Sequence, residues 1–224
     1  MATHLDLEEQ EQLDQLKAFW KRYGNLLTWL LIVVLGGFAA WNGWGWYQRD
    51  QAEKSGAMFD QLDRAAQAGD IDQATRIFAD MQARFPRTAF TEQGGLLAAK
   101  VQLDKGKPDA ALASLAWVGA NATEVEYQTI AKLRAAGILL DQKKHDEALK
   151  LLDTATAPEF AALVNDRRGD VLIAQGKTEE AKAAYAKAWQ AMDATIGYRR
   201  LIDAKLTALG AAPVEPAASA GSAK

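Results

Sequence analysis

Residues 167–189 read RRGDVLIAQGKTEEAKAAYAKAW. A polar turn around Gly176 separates two helical stretches, and Ala181, Tyr185 and Ala188 fall at i, i+4 and i+7 of the second. That spacing makes one buried stripe. Gly169, twelve residues before Ala181, lies in the first stretch where two antiparallel helices approach most closely. Gly176 sits where a left-handed residue ends a helix. The segment describes a pair of helices folded against each other.

The same turn recurs upstream. AGDIDQA (68–74), KGKPDAA (105–111), KKHDEA (143–148) and QGKTEEA (175–181) each close on an alanine, at intervals of 37, 37 and 33 residues. Tetratricopeptide repeats have a period of about 34 residues. Four residues beyond each alanine come Phe78, Leu115, Leu152 and Tyr185, and seven beyond come Met81, Val118, Ala155 and Ala188. Gly69, Gly106 and Gly176 occupy the turns, and Pro86 falls where the first repeat ends. The earlier units carry Leu62, Ala99 and Ala136 in place of Gly169, so the repeats are degenerate. The expected fold is all-α: a single N-terminal transmembrane helix, then a tetratricopeptide-like solenoid of about four degenerate repeats plus a capping helix at 196–209. An unrelated bundle with coincidental spacing is the alternative.

The transmembrane helix is read from 23–48, 26 consecutive residues without a formal charge. Within them LLTWLLIVVLGGFAAW (26–41) is almost wholly apolar. About 20 helical residues cross a bilayer core of roughly 30 Å. WNGWGWYQRD (41–50) crowds Trp41, Trp44, Trp46 and Tyr47 at one end, and Trp20 and Tyr23 stand at the other. Such rings favour the headgroup level. A buried core helix would keep more polar residues than Thr28, and a cleaved signal would not follow an acidic leader of this length. Lys17, Lys21 and Arg22 precede the span, against Arg49 and Lys54 after it, which leans towards a cytoplasmic N-terminus. The expected layout is a cytoplasmic tail at 1–23, a transmembrane helix at 24–47, a periplasmic repeat domain at 48–210 and a disordered tail at 211–224. Gly36, Ala39, Ala40 and Gly43 form small-xxx-small pairs that admit a close membrane helix, though such residues are common in any span. In the tail, Leu13, Leu16, Phe19 and Trp20 recur at helical spacing behind Asp6, Glu8, Glu9 and Glu11. That pattern is a partner-docking or surface-lying helix, or a solvated approach to the span. The first repeat helix, around 51–67, is expected to run on from the membrane helix with little break.

Composition excludes several classes. The net charge of −3 gives no broad basic field, so no nucleic acid partner is expected. Cysteine is absent, and the two histidines, His4 and His145, lie far apart. No metal-ligand spacing, nucleophile–base set or phosphate-binding glycine loop occurs. No catalytic residue, metal or cofactor is expected.

FWKRYGN (19–25), KKHDEALKLLDTA (143–155) and FAALVNDRRGDVLIAQGKTEEAKAAYAKAW (160–189), set around a single span, resemble the YfgM-type ancillary subunits of the SecYEG translocon. The similarity extends to about Gly210, and DRRGDVLIAQGK is its most specific part. The resemblance implies a type II inner-membrane protein of Gram-negative bacteria with its repeats in the periplasm. It implies partners too: the SecYEG translocon, a membrane-anchored periplasmic chaperone or isomerase, unfolded secretory polypeptides, and a cytoplasmic envelope stress-response regulator restrained by the tail. It brings no catalytic residues.

Within the solenoid, the first helix of each pair lines the concave face. By register, Gln93, Lys100, Arg134, Arg167 and Asp170 are the candidates to contact extended polypeptide there. Each taken singly is equally a solvated helix face. Two other readings share the layout: a membrane-anchored scaffold assembling another envelope complex, and an enzyme with a repeat domain, which would need a polar catalytic cluster.

Overall fold

A computed structural model describes residues 7–213, with side chains from residue 11 onward. Asp6, Glu8, Glu9 and most of the expected C-terminal tail therefore lie outside the described side chains. Every regular element among the described residues is helical: α1 Leu7–Ala68, α2 Ile71–Arg84, α3 Ala89–Asp104, α4 Pro108–Asn121, α5 Val125–Asp141, α6 His145–Asp153, α7 Ala161–Ala174, α8 Thr178–Ala191 and α9 Arg199–Ala208. A 3₁₀ turn at Pro158–Phe160 precedes α7. The chain forms two compact units that meet at Gln51 and Ala52. The expected boundaries at 23/24 and 47/48 both fall inside α1, because nothing between the tail and the first repeat breaks the helix.

The first unit is the N-terminal stretch of α1. An 18-residue window of it has mean hydropathy 1.7, and only 6% of that window is buried. Leu26, Val33 and Phe38 are 65, 66 and 69% exposed. An uncovered apolar surface of this length is solvated by lipid, where each polar group must bond within the helix. Thr28 Oγ1 accordingly donates to the Gly24 carbonyl at 2.7 Å, and Asn42 Nδ2 to that of Phe38 at 2.9 Å. At the entry, the Trp20 indole lies over Gly24, where a Cβ would stand 3.1 Å from the ring. At the exit, Trp44 and Tyr47 pair at 5.9 Å between centroids. The α1 span is a membrane helix with an aromatic belt at each end.

The second unit stacks helix pairs: α3 with α4, α5 with α6 and α7 with α8, while Leu62 and Ala65 of residues 52–68 share a hydrophobic cluster with Ala74, Ile77 and Met81 of α2. Ala74, Ala111, Ala148 and Ala181 are all fully buried, so a side chain larger than a methyl has no room at any crossing. Phe78, Leu115, Leu152 and Tyr185 fill the next turn of each stripe and are buried as well. Gly69, Gly106 and Gly176 have φ of 67, 72 and 77°, and Lys143 occupies the equivalent place in the third repeat at 61°. Each turn closes a long backbone bond, such as Lys144 N–H to Leu139 O at 2.8 Å and Lys177 N–H to Leu172 O at 2.9 Å. At Gly169 a Cβ would lie 2.4 Å from Tyr185 Cε1, so the close approach read from sequence is steric. Gly95 is a second such point, 2.3 Å from Val118 Cγ2, and no repeat position announced it.

One stripe differs from the expected pattern. α6 ends at Asp153, so Ala155 lies beyond the helix and is only half-buried. The chain must leave the α region before Pro158, and Ala157 does so with ψ of 120° while its N–H donates to Thr129 Oγ1 at 3.1 Å. The cap also starts late. Asp193 accepts from Thr195 N–H and Oγ1–H at 2.7 Å each, and this turn delays α9 to Arg199. Ile202 and Leu206 then seal the last repeat at 0 and 2% exposure.

Candidate interaction surface

Neighbouring first helices touch along the row α3, α5, α7, and three of the five candidate side chains, Gln93, Arg134 and Arg167, lie on that row's contacts. Gln93 Nε2 donates to Tyr127 Oη at 2.8 Å, which ties α3 to α5. Arg134 Nη1 donates to the Leu96 carbonyl at 3.3 Å and the side chain remains exposed. Arg167 occupies the same register one repeat later: its guanidinium passes 3.7 Å from where a Cβ on Gly137 would stand. It also pairs with Asp170 at 3.5 Å. Lys100 stands apart. Its side chain is 65% exposed, among the described residues pairs only with Asp104 on its own helix at 2.6 Å, and edges a cleft of about 230 Å³ beside Asp63 and Leu97.

Asp170 is already occupied. Tyr185 Oη donates to it at 2.9 Å and Lys205 Nζ at 2.6 Å. Lys205 also binds both oxygens of Asp166, at 2.8 and 3.0 Å, and Tyr198 Oη adds a bond of 2.8 Å. Burial and the bond to Asp170 push the Tyr185 hydroxyl well above its ordinary range. Burial, then the bond to Asp166, pushes Tyr198 up to about 12. Both phenols therefore stay protonated donors at any physiological pH. This network joins α7, α8 and α9, and sequence reading reached only Asp170 of it. A signal was present: Asp166 holds the register place that Phe59, Leu96 and Leu133 fill in the other repeats.

Apolar side chains accompany the basic ones. Eight residues before each anchor alanine come Ala66, Leu103, Leu140 and Ile173, and Leu103 and Ile173 remain 43 and 38% exposed. Half-exposed aliphatic groups on the same helices as Lys100 and Arg167 suit contact with peptide that is partly apolar and partly acidic. Gly36 and Gly43, in the span, have no heavy atom within 4 Å of a built Cβ. Among the described residues no group of three His, Asp or Glu lies together to hold a metal ion.

A family model described as a tetratricopeptide repeat-like domain matches residues 17–211. The chain is 33% identical over 213 residues to a Neisseria gonorrhoeae protein named ancillary SecYEG translocon subunit, covering 93% of this chain and 100% of that one. Proteins of the same name from Escherichia coli and Haemophilus influenzae are each 27% identical, over 177 and 184 residues. The first match covers 79% of this chain and 85% of its relative, and the second 82% and 90%.

Proposed function

Because the chain belongs to the tetratricopeptide repeat-like family of ancillary SecYEG translocon subunits, we propose that it serves the translocon as a non-enzymatic interaction protein of the inner membrane. The N-terminal tail is cytoplasmic, α1 crosses the bilayer, and the repeats face the periplasm. There the first-helix row receives emerging secretory polypeptides and delivers them to a membrane-anchored chaperone or isomerase. The tail restrains a cytoplasmic stress-response regulator, and Gly36, Ala39, Ala40 and Gly43 are the face through which α1 meets another membrane helix.

The observation that carries this reading is that the first helices α3, α5 and α7, which touch in a row, carry half-exposed Leu103 and Ile173 as well as the basic side chains of Lys100, Arg134 and Arg167. Apolar contacts supply sequence-tolerant attraction, while surface charges mainly speed encounter, and the combination suits clients that must be released. Photocrosslinkers at Leu103 and Ile173 in inner-membrane vesicles should trap a secretory chain stalled in the translocon. Arg134→Glu with Arg167→Glu should reduce that trapping severalfold. Unchanged crosslinking in the charge-reversed protein would remove the row from the mechanism. Co-purification in mild detergent with another envelope complex, and without translocon subunits, would favour the assembly-scaffold reading.

A further inference from the structure

Three register positions meet wherever one repeat stacks on the next: one residue after an anchor alanine, nine before the following anchor, and three after it. At the first junction these are Thr75, Gln102 and Ser114, and they are linked by polar bonds. Gln102 Nε2 donates to Thr75 Oγ1 at 3.1 Å, and Ser114 Oγ donates to Gln102 Oε1 at 2.8 Å. At the second junction they are Leu112, Leu139 and Leu151, which pack into one hydrophobic cluster. At the third they are Leu149, Leu172 and Ala184. Here an alanine stands where the preceding junction has Leu151. The cleft at this register, about 370 Å³ beside Leu139 and Leu151 at the second junction, widens here to about 470 Å³ and is lined by all three residues between α6, α7 and α8.

The rim of this cleft is charged unequally. Arg168 takes the register place of the buried Ala98 and Ala135, and its Nη2 reaches Asp153 at 2.7 Å. Lys177 and Lys187 also line the cleft, and among the described residues neither has an ion-pair partner. Glu180 is the single acid on the rim. A cleft wider than its counterpart, with an alanine in place of a leucine on its floor and two ammonium groups outside any ion pair on its rim, has a definite complement.

We propose that the third junction is a docking site for a partner polypeptide, seating one bulky apolar side chain on Leu149, Leu172 and Ala184 while flanking carboxylates meet Lys177 and Lys187. The site lies on the α6–α8 side of α7 and uses none of Lys100, Arg134 or Arg167, so it is independent of the surface proposed above.

The test uses the full chain in zwitterionic nanodiscs, with the leucine methyls of Leu149 and Leu172 observed by NMR. The probe is a short peptide with one phenylalanine between glutamates. It should shift both methyl resonances saturably. A lysine-flanked peptide should not, and an alanine-centred peptide should bind roughly tenfold more weakly or worse. Ala184→Leu should narrow the cleft to the dimensions of the second junction and abolish the shifts. The exposed pair Lys177→Glu and Lys187→Glu, which places no bulk in the core, should weaken binding by about tenfold, while Arg134→Glu with Arg167→Glu should leave it unchanged. The proposal is overturned if no peptide shifts the resonances, if the lysine-flanked peptide does so equally, or if both the Ala184→Leu and the rim variants bind as the parent does. Shifts produced by phosphatidylglycerol nanodiscs alone, or by raising protein concentration alone, would assign the cleft to lipid or to a second copy and would equally overturn it.

Discussion

Lys205 in α9 reaches back 39 residues to Asp166 in α7, whose side chain is 4% exposed, and holds both of its carboxylate oxygens. A carboxylate so deep in a helical stack is tolerable only while its counter-ion stays in place. The capping helix is thus joined to the last repeat by charge as well as by Ile202 and Leu206.

Lys205→Met removes the counter-ion and leaves Asp166 buried and uncompensated. The expected loss is about 3 kcal/mol, read from chemical denaturation of the full chain followed by Trp189 fluorescence. Asp166→Leu combined with Lys205→Met places an apolar residue where the other repeats carry one, and should recover most of that loss. A double variant no more stable than the single one would show that the pair itself supplies the stability.

Gly169→Ala would place a methyl 2.4 Å from the Tyr185 ring, a distance that requires the ring to move. Moving it breaks the bond from Tyr185 Oη to Asp170. We expect a cost of about 2–3 kcal/mol, together with a change in the near-ultraviolet dichroism of Tyr185. Gly137→Ala, with nothing closer than 3.7 Å, is the control and should cost well under half as much.

Lys143 takes the left-handed turn position that glycine fills in the other three repeats, with φ of 61°. A side chain there costs about 1 kcal/mol relative to glycine. Lys143→Gly should therefore raise the melting temperature by a few degrees without altering the α5–α6 turn, as judged by amide exchange at Lys144.

Glu92 is 1% exposed. One of its oxygens accepts from Thr123 N–H at 2.7 Å, and the other has no partner among the described residues. Burial raises its pKa above the ordinary 4.5, with the Glu124 charge adding to the effect and the bonds at Thr123 opposing it. A raised acid pKa means that the folded state holds its proton more tightly than the unfolded chain does. The stabilisation is complete below the unfolded value and is lost as pH rises through the folded one. Glu92→Gln keeps an acceptor for Thr123 and removes the titration. It should be more stable than the parent at pH 7, and the difference should vanish on acidification below the ordinary carboxyl range. Parallel stability curves for the two proteins would contradict this account of Glu92.

Much was legible in one dimension. The membrane helix follows from an unbroken apolar run, because a bilayer tests only length and polarity. The repeats follow from alanine anchors at a near-constant period, because helix crossings demand small residues at fixed intervals. The early end of α6 is one step less local: beyond Asp153 the chain runs to Ala157, whose N–H donates to Thr129 Oγ1 on α5.

The row of first helices was also foreseeable from register, which is a property of helical periodicity alone. Which of its side chains are already engaged was not. Asp170 is spent on Tyr185 of α8 and Lys205 of α9, which only the packing of those helices decides, while Arg134 in α5 stays exposed. The difference is physical: periodicity lies along the chain, whereas the pairing of buried charges and the filling of gaps depend on side chains brought together from distant helices. Lys205 meets Asp166, and Ala184 leaves its cleft, only once α7, α8 and α9 are folded against one another.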